Sequence, residues 1–208
     1  MRLFINRFPP LVWRRISGRR NKVSIRSSCW NVFVDIQGNN NHVTCAPGAF
    51  LKGVKIYIRG SDTSVQIASG AKFFNGGASL WLEDDLSSIS IGPNTSIFGD
   101  VHMAATEGAG ITLGGDCLVA PGVQIRTGDS HSVLQNYLRC NHAKGVTIGD
   151  HVWLSEGAVI LKGVEILSDS VVATKSVVTK SFSQKGLVIA GNPAKQVKSG
   201  ISWDSRRL

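Results

Sequence analysis

Three observations predict an all-β solenoid, a parallel β-helix of three-sided coils. First, aliphatic residues recur every six positions at Ile148, Leu154, Ile160, Ile166 and Val172. Second, a small or β-branched residue follows each of them four places later, at Val152, Ala158, Val164, Ser170 and Ser176. A helix asks for a period of 3.6 and a half-buried strand for a period of 2, and six suits neither. Six does suit one side of a triangular coil, with one aliphatic pointing inward and a small residue near each corner. Third, a longer motif repeats at about the length of one coil. It begins at Val43, Val65, Ile89, Ile111 and Val146, in the form aliphatic-x-apolar-[Ala/Gly]-x-x-small. Such coils bury their apolar columns only by stacking on each other.

The first four copies stand 22, 24 and 22 residues apart, one coil of about 18 residues plus a short turn. Gly38-Asn-Asn-Asn41 and Gly60-Ser-Asp62 read as those turns, because Gly and Asn tolerate left-handed backbone. The last spacing is 35. Leu113, Val119 and Ile125 keep the six-residue step, the pattern fails from Arg126 to Gly145, and it resumes at Ile148. A regular solenoid interrupted once predicts a protruding loop at about 126–145, and loops on rigid scaffolds carry chemistry.

The organisation that follows is a basic segment over 1–22, a β-helix over 23–190 and a tail over 191–208. Composition agrees: aromatics are 7 % and there are 23 glycines among 208 residues, which suits regular coils with small inward side chains. A chain this long buries roughly 70 % of its unfolded surface without a staple. Cys29, Cys45, Cys117 and Cys140 form no CxxC pair, and no signal peptide is visible. Reduced thiols and a cytoplasmic setting are expected, with Cys45 and Cys117 acting as small inward hydrophobes.

The net charge of +9 is uneven. Met1 to Lys22 carries Arg2, Arg7, Arg14, Arg15, Arg19, Arg20 and Lys22 with no acid, interleaved with Leu3, Phe4, Ile5, Phe8, Leu11, Val12 and Trp13. One reading is a basic surface segment touching anionic lipid at the inner membrane face. The plainer one is a solvated arm or an arm packed on the first coil, since Pro9-Pro10 interrupts any continuous helix. No apolar run approaches the roughly 18 residues that span a bilayer. Aromatics are not interleaved with cations in the regular coils, so no base-stacking platform and no nucleic-acid partner is expected.

Ile-Gly-Asp-His-Val-Trp at 148–153, Val177-Val-Thr-Lys180 and Ala190-Gly-Asn-Pro-Ala-Lys195 resemble the closing motifs of hexapeptide-repeat acetyltransferases, the group of maltose, galactoside and xenobiotic O-acetyltransferases. Gln124-Ile-Arg-Thr-Gly-Asp-Ser-His-Ser132 is similar to the active-site segment of polysaccharide and capsule O-acetyltransferases in that group. The resemblance covers about residues 40 to 200. It implies a left-handed helix, a homotrimer, acetyl-CoA as co-substrate without a metal, and a sugar hydroxyl of a glycan as acceptor.

The family's catalytic histidine maps onto His131. A sugar hydroxyl is a poor nucleophile and must lose its proton as it attacks a thioester. An imidazole, which titrates near neutrality, suits that task. Without the motif, His131 would read as a surface histidine in a polar loop. Relatives carry an acceptor-assisting asparagine where this chain has Asp100, a departure that leaves two roles: binding or orienting, or merely turning the chain. Asp129 is open to the same pair of readings, orienting the imidazole or closing an Asx turn. For CoA, the resemblance places Trp153 near the pantetheine arm and Ser155, Thr174 and Thr179 along a groove between coil faces. Lys180 and Lys195 would meet its phosphates. Without the resemblance, Trp153 covers a coil edge and both lysines are solvated.

Other activities stay open on the residues alone. They are N-acetylation of an amino sugar or sugar nucleotide, a γ-type carbonic anhydrase using His131, His142 and His151 on zinc, and a non-catalytic binding helix. His151 on an outward position of a regular repeat speaks against the zinc reading.

Overall fold

The computed structural model describes residues 12–206, and among these no helix occurs. Three parallel sheets run the length of a left-handed β-helix of about eight turns. The first face has eight strands, from Val12–Ser17 to Val177–Val178. The second has seven, from Lys22–Ile25 to Glu165–Ile166. The third begins at Ser28–Trp30 and runs through Val171–Val172 to Val188–Gly191, where Ala194–Lys198 turns back and adds the one antiparallel strand of that sheet.

The core is a set of stacked columns. On the first face Val34, Ile56, Leu80, Met103, Ile125, Ile160 and Val178 pair in unbroken register, and all are fully buried. The five starts of the long motif stack on the second face as Val43, Val65, Ile89, Ile111 and Val146. Their small partners Ala49, Ala71, Thr95, Cys117 and Val152 are buried too. Burial pushes the thiols of Cys45 and Cys117 up to about 12 and about 11. Ile111 pairs directly with Val146, so the 35-residue spacing adds no coil and its surplus is extruded as a loop.

Turns between the first and second faces are held by a ladder of side-chain amides. Asn41 is fully buried. Its Nδ2 donates to the Gly60 carbonyl at 2.9 Å, and its Oδ1 accepts from Thr63 N at 3.0 Å and Thr63 Oγ1 at 2.8 Å. Asn21 repeats this one coil earlier, donating to the Gly38 carbonyl and accepting from Asn41 N. These bonds satisfy buried corner groups that water cannot reach. Gly38 has φ of +143°, and a Cβ there would lie 1.9 Å from the Gly60 carbonyl oxygen, so the corner admits only glycine.

The coils begin earlier than position 23: Val12–Ser17 pairs along Val32–Gln37. The strand's period is masked because Arg14 takes the inward register position above Val34, where the first described coil has no further coil over it. Residues 1–11, with the apolar part of the basic segment, lie outside the described residues. At the other end Val188–Gly191 and Ala194–Lys198 extend the third sheet into the segment read as tail. Ile160→Ala is expected to lower stability by about 2–5 kcal/mol and Ile160→Val by about 0.5–1.5 kcal/mol, read from denaturation midpoints.

Candidate active site

After strand Gln124–Arg126 the chain leaves the coil at the corner between the first and second faces, and it rejoins at Val146–Ile148. Thr127 is fully buried, and its Oγ1 accepts a hydrogen bond from Thr106 N at 2.9 Å, anchoring the exit. The loop closes as a two-stranded antiparallel hairpin, Leu134–Gln135 against Leu138–Arg139.

Asn141 organises this loop from inside. Its Nδ2 donates to the His131 carbonyl at 2.7 Å and to Asp129 Oδ2 at 2.9 Å, and its Oδ1 accepts from Val133 N at 2.7 Å. The loop is then tied to both adjoining coils. From the coil before, Glu107 pairs with Arg139 and accepts from Ala143 N at 3.3 Å. From the coil after, the Lys162 ammonium pairs with Asp129 and donates to the Asn141 carbonyl at 3.0 Å. The Lys162 bond, helped by Asn141, holds the Asp129 carboxyl below its ordinary value. The Arg139 bond does the same for Glu107.

His131 therefore sits on a braced loop with its carbonyl pinned and its side chain exposed. Asp129 spends its carboxylate on Lys162 and Asn141; among the described residues the His131 ring has no hydrogen-bond partner. Asp100 lies on the opposite edge of the first face, in the turn before strand Val101–Ala105 with φ of +56°. It borders a cleft of about 230 Å³ with Lys55, Ser79 and His102. Opposite edges of a six-residue side stand on the order of 20 Å apart, so one chain does not bring Asp100 to His131.

The residues assigned to CoA divide in the same way. Ser155 and Thr174 lie in successive turns between the third and first faces, whereas Thr179 and Lys180 follow strand Val177–Val178 on the loop's own edge. Only a two-residue strand and its flanks separate Thr174 from Thr179, but at about 3.3 Å per residue that crosses the whole face. Lys180 and Lys195 do come together. Both line a cleft of about 390 Å³ with Ser181, Phe182 and Ser183. Trp153 stands on the third face, 37 % exposed, with its ring 5.9 Å from that of Trp203.

Trp203 belongs to the tail that folds back over the third face. Its Nε1 donates to the His151 carbonyl at 2.8 Å, and its ring stacks on the His151 ring at 4.4 Å. The other side of that imidazole is held by Asp169, 3.0 Å from Nδ1. His151 thus has structural neighbours of its own, at a different corner from His131 and His142. Among the described residues no group of three or more His, Cys, Asp or Glu side chains is placed to hold a metal ion.

Sequence reasoning missed Asn141, Glu107, Arg139, Lys162 and Trp203. A usable signal existed for the charged ones. Glu107, the pair Asp129 and Arg139, and Lys162 occupy the same corner on three successive coils, with signs that attract.

A family model described as "Protein of unknown function (DUF3060)" matches residues 16–76. A polysialic acid O-acetyltransferase of Neisseria meningitidis is 38 % identical over 168 residues, 80 % of this chain and 76 % of that protein. One from Escherichia coli O1:K1 is 32 % identical over 119 residues, which span 56 % of this chain and 38 % of that protein. The crystal structure of the polysialic acid O-acetyltransferase OatWY superposes with a TM-score of 0.86 at 30 % identity, covering 95 % of this chain and 93 % of that one.

Asn141→Ala is expected to free the loop without unfolding the coils, seen as faster limited proteolysis between residues 133 and 140 at unchanged thermal midpoint. The ion pairs set a pH dependence. Asp129 and Glu107 have lowered values in the fold, so their contribution is present above their ordinary range, near 3.8 and 4.5. It is lost as pH falls through the lower folded values. Loop protection against protease is expected to hold at neutral pH and to fail in that acid window before the coils melt.

Proposed function

The chain belongs to the hexapeptide-repeat acetyltransferase family, and on that premise we propose that it moves the acetyl group of acetyl-CoA onto a hydroxyl of a glycan. Its relatives' names point to the acceptor class, and polysialic acid is the first acceptor to assay. The observation that carries the reading is the order of groups along one edge of the prism. Glu107 comes first, then the braced loop with His131, then Lys162, and two coils beyond the loop Lys180 with Lys195 beside it.

That order fits an elongated thioester. The two ammonium groups and the Ser183 hydroxyl suit phosphate oxygens, and two coil spacings set them about 10 Å along the axis from the loop; the Ser181 hydroxyl is taken up by the Gly163 carbonyl and Glu165 N. His131 takes the proton of the acceptor hydroxyl as its oxygen bonds to the thioester carbonyl carbon. The imidazolium returns that proton to the sulfur as the carbon–sulfur bond breaks, leaving an ester and free CoA. Fixing the His131 backbone through Asn141 holds the base where both reactants must meet, which lowers the entropic part of the barrier.

Three-fold assembly belongs to the same proposal. Trp153, Ser155, Thr174 and Asp100 lie on or beyond the opposite edge of the first face from His131. They join it in one site if that edge of one copy meets the loop edge of the next in a closed ring. His131→Ala is expected to lower turnover at least about a hundredfold while CoA affinity stays within a few-fold. Lys180→Ala and Lys195→Ala are expected to raise KM for acetyl-CoA with little change in kcat. Near-normal turnover of His131→Ala removes His131 from the reaction.

A further inference from the structure

Nearly all of the protein's net charge belongs to the residues that precede Asp35 in the sequence. The chain has 23 Lys and Arg against 14 Asp and Glu. Eight of those cations and none of the acids precede Asp35, which leaves fifteen cations against fourteen acids for the rest of the molecule. The described part of this excess is displayed on the first coil. Arg14, Arg15, Arg19, Arg20, Lys22 and Arg26 are all exposed, and among the described residues none of them is in an ion pair.

The same coil exposes large apolar side chains. Trp13 is 58 % exposed, Trp30 53 % and Ile16 43 %. Each of its three strands has a neighbour on one side only among the described residues. The inward positions Val12, Ile16, Val23 and Ile25 are correspondingly incompletely covered. Among the described residues, the first coil therefore presents incompletely covered inward aliphatics, outward-facing Trp13 and Trp30, and cations that are in no ion pair.

We propose that this end coil docks on the headgroup layer of an anionic lipid bilayer, with the rod standing off the membrane. Cations near such a surface gain from its negative potential, and indole rings favour the interface between headgroup and acyl chain. A soluble polyanion would use the cations, but it offers nothing to Ile16 and the two tryptophans, and this end is remote from His131. The His131 loop lies five coils on. At about 4.8 Å per coil it would stand roughly 25 Å above the membrane, on the side of the rod. The inference goes beyond the acetyl-transfer reading and does not depend on it, because its test involves no turnover.

The test is co-sedimentation of the full chain with vesicles of phosphatidylcholine, with and without phosphatidylglycerol. The expected result is partition onto the anionic vesicles, weak partition onto the neutral ones, and release by added salt. The quadruple variant Arg15→Gln, Arg19→Gln, Arg20→Gln, Lys22→Gln is expected to lower partition at least about tenfold with its thermal midpoint retained. In the wild-type protein, bromine-labelled lipid acyl chains are expected to quench tryptophan fluorescence, a reading that needs no variant. Equal partition onto neutral vesicles, no partition at low salt, or no quenching would overturn the proposal. So would a folded quadruple variant that binds like wild type, or displacement from anionic vesicles by soluble polysialic acid at matched charge.

Discussion

No coil of this protein can cover its own aliphatics; each depends on the coil above and below it. That dependence fixes the rest. A column such as Ile125, Ile160 and Val178 stays buried only while every inward residue keeps register with its neighbours. Every corner must therefore turn at the same height, and insertions are tolerated only by leaving the prism altogether. The 20-residue interruption does this at the corner after Gln124–Arg126 and returns in step at Val146. Register, a packing constraint, thus decides where a loop can exist.

The loop is positioned by polar groups rather than by packing. Its outer residues Val133, Leu134, Tyr137 and Leu138 are exposed, so burial does not hold it. Asn141 ties the His131 carbonyl, the Val133 amide and the Asp129 carboxylate together, and the pairs from Glu107 and Lys162 reach the loop from the adjoining coils. Partly exposed pairs of this kind are individually weak. Here they act on one short segment from two rigid neighbours, and they fix its direction more than they add to global stability. The His131 backbone is held in place in a way that an unbraced surface loop would not provide, while its ring is exposed and has no hydrogen-bond partner among the described residues.

The solenoid was legible because its signal is periodic. The six-residue step from Ile148 to Val172 and the motif starts from Val43 to Val146 all fall on stacked core positions. The first coil was obscured by Arg14 occupying an inward register position, on a coil that has a neighbour on one side only among the described residues. The site was legible only in part. His131 could be singled out from the broken period and the motif around it, and Lys180 and Lys195 do share a cleft. Asn141 could not be found, because an asparagine in a polar loop has no distinguishing spacing. Nor does a linear sequence reveal that Thr174 and Thr179, five apart, lie on opposite edges of a face.

Acetyl transfer to a sugar oxygen is the reaction proposed for this braced corner. It is tested most directly by incubating the protein with acetyl-CoA labelled with carbon-13 in the acetyl carbonyl and with polysialic acid, and reading the product by nuclear magnetic resonance. One base-labile ester on a sugar hydroxyl is expected for each CoA thiol released. Thiol release without an ester on the glycan, label in an amide, or no enzyme-dependent release with any saccharide offered would contradict it.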